Sequence, residues 1–196
     1  MKQHRWSGLT THLARALGLF LLLTSHATVA MAGKLVVSAG AYNFSVENQS
    51  NRVSASISGV GSYQISYRHL MNQNIELDFG FSLLATETFS GDLAFGVDIG
   101  VNYFPFTNAG HISAESGVAH MYLNNRWRPF VGGSFNQRNF QSTSSQYAGF
   151  GLKGGTEYQV VDDLCVHTTL RYLFLGGPNQ ASANQIDLLG GLVFQF

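Results

Sequence analysis

The chain has 196 residues, with 11 basic and 11 acidic side chains and so no formal net charge. Charged residues are only 11% of it, against roughly 25% in ordinary soluble domains. With 15 Phe and 22 Gly, that composition argues against a disordered chain and against a nucleic-acid binder, which needs a basic stripe to neutralise phosphates. The single cysteine, Cys165, leaves no intramolecular disulfide framework to consider.

The first 32 residues read as a cleaved signal peptide. Lys2, His4, Arg5 and Arg15 make a basic start, the apolar stretch is densest from Ala16 to Leu23, and Ala30-Met31-Ala32 fits small-x-small cleavage. Cleavage after Ala32 would leave a mature chain beginning at Gly33, and residues 33–196 form one domain. The competing reading is a retained membrane helix, but the run falls short of the ~20 residues a span needs.

The mature chain then alternates with period two, the signal of strands. From Lys34 to Phe44 the alternation fits either assignment of faces. Tyr63, Ile65 and Tyr67 oppose Ser62, Gln64, Ser66 and Arg68. Between Asn74 and Thr86, Ile75, Leu77, Phe79, Phe81, Leu83 and Ala85 oppose a polar or small face carrying Glu76 and Asp78. Leu93, Phe95, Val97, Ile99, Val101 and Tyr103 oppose Ala94, Gly96, Asp98, Gly100 and Asn102. Trp127, Val131 and Phe135 oppose Arg128, Gly132, Ser134, Asn136 and Arg138. Phe150, Leu152 and Tyr158 oppose Gly149, Gly151, Lys153, Gly155 and Glu157. Val166, Leu170, Tyr172 and Phe174 oppose His167, Thr169 and Arg171. Last, Ile186, Leu188, Leu192, Phe194 and Phe196 oppose Gln185, Asp187, Gly191 and Gln195.

These are about eight strands of about 10 to 13 residues, where a tilted membrane strand needs roughly 9 to 11 and a globular strand averages 5 or 6. The fold class expected is therefore all-β: a transmembrane, antiparallel, up-and-down barrel with its apolar face outward. Hydrocarbon offers no water to backbone N–H and C=O groups, so a spanning sheet must close on itself. Eight strands enclose an interior just wide enough for side chains. With the N-terminus periplasmic, the outer connections would be Ser45–Gly59, Glu87–Gly91, Gln141–Gln146 and Gly176–Asn184. The periplasmic ones would be His69–Gln73, Pro105–Asn125 and Val161–Leu164. The middle one, at Phe106–Asn125, is long enough for an extra β segment, and an even strand count returns the C-terminus to the periplasm.

The end of the chain resembles a known feature. Phe196 is a terminal aromatic, with Phe194, Leu192, Leu188 and Ile186 receding from it, similar to the C-terminal assembly signal of bacterial outer-membrane barrels. The chain from Gly33 to Phe196 resembles the small eight-stranded group typified by the OmpA membrane domain and OmpX. Tyr103-Phe104-Pro105, followed by Arg128-Pro129-Phe130-Val131-Gly132-Gly133, is similar to a strand–turn–strand passage of that group. The resemblance implies a cell outer-membrane location and contact with outer-membrane lipid and lipopolysaccharide. It implies handling by the barrel-assembly machinery, through Leu192, Phe194 and Phe196. The peptidoglycan tether of full OmpA proteins is not implied. A closed barrel leaves no sheet edge to pair, so a monomer is expected.

The polar faces gather five cations, Arg68, Arg128, Arg138, Lys153 and Arg171, and five carboxylates, Glu76, Asp78, Asp98, Glu157 and Asp187. Buried charges persist when paired and hydrogen-bonded. The first reading is an internal ion-pair network that fills a barrel of structural or surface-interaction role. The second is a narrow ion or small-solute pore gated by exchange of those pairs. The third is a lipid-modifying enzyme. His111-x-Ser113-x-Glu115 contains the parts of an acyl-hydrolysing site, as in some outer-membrane lipid A deacylases, but it falls on the periplasmic side, the wrong leaflet for lipid A. His111, Glu115 and His120 match no standard metal spacing. No enzyme activity, metal or cofactor is expected. Trp127, Tyr103, Tyr158, Tyr172 and Phe196 suit interfacial girdles.

Overall fold

Strands that expose one apolar face along their whole length can bury their backbone edges only by pairing on both sides, and here they do. The computed structural model describes residues 33–48, 53–86, 92–106, 111–115, 118–122, 126–141, 144–178 and 181–196. The signal peptide read over 1–32 and the loop read over Glu87–Gly91 lie outside the described residues. Ten strands follow in order: β1 (Gly33–Asn48), β2 (Val53–Leu70), β3 (Ile75–Thr86), β4 (Asp92–Tyr103), β5 (His111–Glu115), β6 (Val118–Tyr122), β7 (Trp127–Phe140), β8 (Ser145–Val161), β9 (Leu164–Gly176) and β10 (Ala181–Gln195).

Eight of them close one antiparallel barrel in the order β1-β10-β9-β8-β7-β4-β3-β2, and β5 and β6 form a separate two-stranded sheet. That short hairpin occupies the long Phe106–Asn125 connection. The barrel closes where β1 meets β10, in register from Lys34 with Gln195 to Asn48 with Ala181. At the end of that seam the Gly33 N–H donates to Phe196 O at 2.9 Å, and the Phe196 N–H donates to Gly33 O at 3.1 Å. We call this the terminal end of the barrel and the opposite one the far end.

The strands are longer than expected at the far end. Much of the segment Ser45–Gly59 is strand rather than loop: β1 and β2 stay paired there, Ser45 opposite Ser56 and Asn48 opposite Val53, while residues 49–52 lie outside the described residues. Likewise β8 begins at Ser145 and β10 at Ala181, inside segments expected to be loops. The outward side chains of this stretch are polar and bond to one another, Asn43 Nδ2 to Ser56 Oγ at 3.3 Å and Ser45 Oγ to Asn43 Oδ1 at 3.0 Å. The ladder continues above the apolar band, but the hydrophobic alternation that marks it does not.

The face of β1 left open by the sequence is settled: Lys34, Val36, Ser38, Tyr42 and Phe44 are buried inside. The ambiguity has a cause: Val36, Tyr42 and Phe44 stand on that face while Leu35 and Val37 stand on the other. The neighbouring strand does change face. Between Gly40 and Tyr42 the register with β2 slips, from Gly40 opposite Ser62 to Tyr42 opposite Gly59. The extra residue is a bulge, and it exchanges the two faces of β2. Above it Ile57 packs inward, and Val60 stands 82% exposed.

Outside, Phe79, Val97, Ile99, Phe135, Leu152, Leu170 and Leu188 form an exposed apolar band. Glycines on the inner wall make room for the large side chains opposite. A Cβ on Gly96 would overlap Arg138 Nη1 and lie 2.7 Å from Ser82 Oγ, and one on Gly132 would lie 3.1 Å from Lys153 Cε.

Candidate functional site

The interior is filled, in two chemically different halves. In the terminal half, Lys34 Nζ lies 2.6 Å from Glu76 Oε1 and 2.8 Å from Glu157 Oε2. Glu157 also accepts from Arg68 Nη1 at 2.6 Å, and Arg128 Nη1 stands 3.7 Å from both carboxylates. Phe104 and Phe130, ring centroids 5.4 Å apart, floor this group. The guanidinium of Arg128 lies 4.1 Å over the Phe104 ring, close enough for a cation–π attraction.

One step further in, Lys153 Nζ donates to Asp78 Oδ2 at 2.6 Å, and Arg68 Nε lies 3.6 Å from the same oxygen. His167 is held between Ser38 Oγ (2.9 Å from Nε2) and Thr169 Oγ1 (3.2 Å from Nδ1). A third tier centres on Asp98, which takes Arg138 Nη1 at 2.7 Å on one oxygen and Arg171 Nη1 at 3.0 Å on the other. Arg171 also reaches Asp187 at 2.7 Å, and Gln185 bonds both Asp187 and Arg138. Between the second and third tiers lies a cavity of about 10 Å³, lined by Arg68, Asp78, Asp98, Ser134, Lys153 and Arg171 among others.

All ten charged residues singled out from the sequence therefore face one lumen, and ion pairs join them. Sequence reasoning missed Lys34, whose strand could not be oriented. It is fully buried and bridges two carboxylates. With it, the described lumen holds Lys34, Arg68, Arg128, Arg138, Lys153 and Arg171 against Glu76, Asp78, Asp98, Glu157 and Asp187.

The far half was not foreseen. There the inner face is apolar, a cluster of Tyr42, Phe44, Leu84, Ala94, Phe140, Tyr147, Leu173, Leu175, Ala181 and Ala183, with Val46 and Ile57 against it. Every strand of the barrel contributes, so the cluster spans the whole cross-section. Phe44, Phe140 and Tyr147 meet with ring centroids 4.8, 5.5 and 5.8 Å apart. Apolar runs such as Leu83-Leu84-Ala85 and Tyr172 to Leu175 carried the signal, since they break strict alternation.

His111, Ser113 and Glu115 occupy alternate positions of β5, with Ser113 opposite His120 on β6. Among the described residues no group of three His, Cys, Asp or Glu is placed to hold a metal ion. Cys165 is buried beside Val36 and Val193, its sulfur 2.7 Å from Gln195 Nε2. Leu192, Phe194 and Phe196 all point outward, and the Phe196 ring lies 6.4 Å from that of Tyr67 across the seam.

A closed eight-stranded antiparallel barrel, apolar outside and filled inside, is the architecture of the small outer-membrane barrels, and solved structures of that class superpose on it. Neisserial surface protein A matches with a TM-score of 0.56 and 16% identity, over 83% of this chain and 97% of that one. The N-terminal β-barrel domain of Pseudomonas aeruginosa OprF matches with a TM-score of 0.51 and 13% identity, over 85% of this chain and 99% of that one. At these identities the likeness is one of fold, and at that level the resemblance to small eight-stranded outer-membrane barrels holds. No family model matches the chain, and no curated protein matches it by sequence.

Proposed function

We propose that the protein is an integral outer-membrane barrel, non-enzymatic and closed to solutes, whose role is structural or one of recognition at the cell surface. The observation that carries this reading is the packing of the lumen: Lys34, Glu76, Arg138 and Asp187 are wholly buried below, and Leu84 and Leu173 wholly buried above. The outward apolar band supports the membrane setting, since a soluble barrel would turn that face inward. In this reading both termini are periplasmic, the projecting far end meets lipopolysaccharide and the surroundings, and the barrel is a monomer.

Planar-bilayer conductance of the refolded 33–196 chain tests the closed state. A folded barrel without openings is the expected result, and discrete openings of the wild-type chain would refute it in favour of a narrow pore. Leu192, Phe194 and Phe196 serve in this reading as the signal read by the assembly machinery. Deleting Phe196 should then leave the chain unassembled in the periplasm, and normal assembly would remove that role.

A further inference from the structure

We infer that the apolar cluster of the far half is by itself the barrier to ions, and that the charged half beneath it is a water-binding site. This deepens the closed-barrel reading, on which it rests, by assigning the closure to one layer of the lumen. The first ground is a set of buried polar atoms in the charged half. Asn102 is fully buried, and neither end of its amide has a hydrogen-bond partner among the described residues. It stands opposite Glu76 in the register of β3 and β4, and Glu76 Oε2 has no such partner either; nor does Asp78 Oδ1, two residues along β3. Buried polar groups are bonded to protein or to ordered water, and these three side chains lie on adjoining strands in one lumen.

The second ground is the cavity between the tiers. Gln64, Arg68, Asp78, Asp98, Lys153 and Arg171 all contribute to its lining. At about 10 Å³ it has the room and the several polar partners that one buried water requires. Water there and along Glu76–Asn102 would hydrate the ion pairs within the lumen.

The far half offers no such footing. Its cross-section is apolar and taken from every strand, and the Tyr42 hydroxyl is turned away to donate to Ala85 O at 2.9 Å. An ion crossing it would lose its hydration and find nothing in exchange, which is how hydrophobic constrictions close pores by dewetting. Ion pairs, in contrast, can trade partners with water. The barrier and the ion-pair network are thus separate devices.

Two measurements decide the matter. The first is conductance of the purified protein in planar bilayers, comparing wild type, Arg171→Ala and Phe44→Ala/Phe140→Ala. Discrete openings are expected only from the double variant. Openings from Arg171→Ala with a silent, folded double variant would overturn the inference, and so would silence of both. Openings of the wild type itself would instead defeat the closed-barrel reading. The second is water-edited solid-state NMR of the lipid-embedded wild type, which stands even if the double variant fails to fold. Magnetisation should pass from water quickly to the side chains of Asn102 and Asp78, and slowly to those of Phe44 and Phe140. Equal, slow transfer to all four would show a dry network and overturn the proposal.

Discussion

In the terminal half of the lumen, β1, β3 and β8 present Lys34, Glu76 and Glu157; ten, eight and ten residues away on the same strands they present Phe44, Leu84 and Tyr147. The backbone, the closure and the side-chain direction are shared, so the chemistry inside is chosen independently of the fold. The charged half must recover a large desolvation cost through its pairs, and such networks are weak contributors to net stability. The apolar half removes ring and methyl surface from water at no such cost, at about 25 cal/mol per Å². A barrel with both has one half that fixes which partners face each other and another that supplies adhesion.

That division can be broken from either side. The largest effect should come from Glu157→Ala, which leaves Lys34 and Arg128 with Glu76, and Arg68 with Asp78, as their remaining carboxylates. Removing one partner of a buried pair costs about 3–5 kcal/mol, readable as a shift in urea unfolding of the lipid-embedded barrel followed by tryptophan fluorescence. A loss under about 1 kcal/mol, the range of surface pairs, would mean that the tier is freely solvated. In the far half, Leu173→Ala should cost about 3 kcal/mol, within the span of buried Leu truncations. A negligible change would show that the cluster is loosely packed.

Glycines sharpen the comparison by asking how tightly the inner wall is filled. Gly96→Ala places a methyl against Arg138 and Ser82, beneath the boundary of the two halves, and should cost about 1–3 kcal/mol as overpacking. Gly133→Ala points outward, where its methyl would meet only Gly151 O at 3.7 Å, and should change stability by no more than about 0.5 kcal/mol. Equal effects of the two would contradict the inner and outer faces described here.

Much of this was legible in the sequence, for a physical reason. The outer face of a membrane barrel must be apolar within the hydrocarbon band, so runs such as Leu77, Phe79, Phe81 and Leu83 alternate without exception and reveal the strands. The inner face obeys no single rule. Arg68, Glu76 and Arg171 were visible because their strands place charge opposite apolar residues. Lys34 was not, because Val36, Tyr42 and Phe44 share its face while Leu35 and Val37 occupy the other. The far ends of the strands were also hidden, since Ser45 and Ser56 continue the pairing with residues that read as loop. The far-half cluster was lost to the assumption that a lumen is polar, although Leu84 and Leu173 stood on the supposed polar face.

The seam between β1 and β10 has a consequence for the history of each molecule. The first strand of the barrel waits for the last, so the pairing that closes the sheet spans nearly the whole chain in sequence. Contacts so distant are formed slowly, because the loop entropy is spent before any of them is gained. Until β10 arrives, β1 and β9 each carry an open edge, the template on which sheets aggregate. A nascent chain of this design therefore has a vulnerable interval whose length is set by the arrival of its final fifteen-residue strand, and any chaperone that shortens the interval must hold both ends of the chain at once.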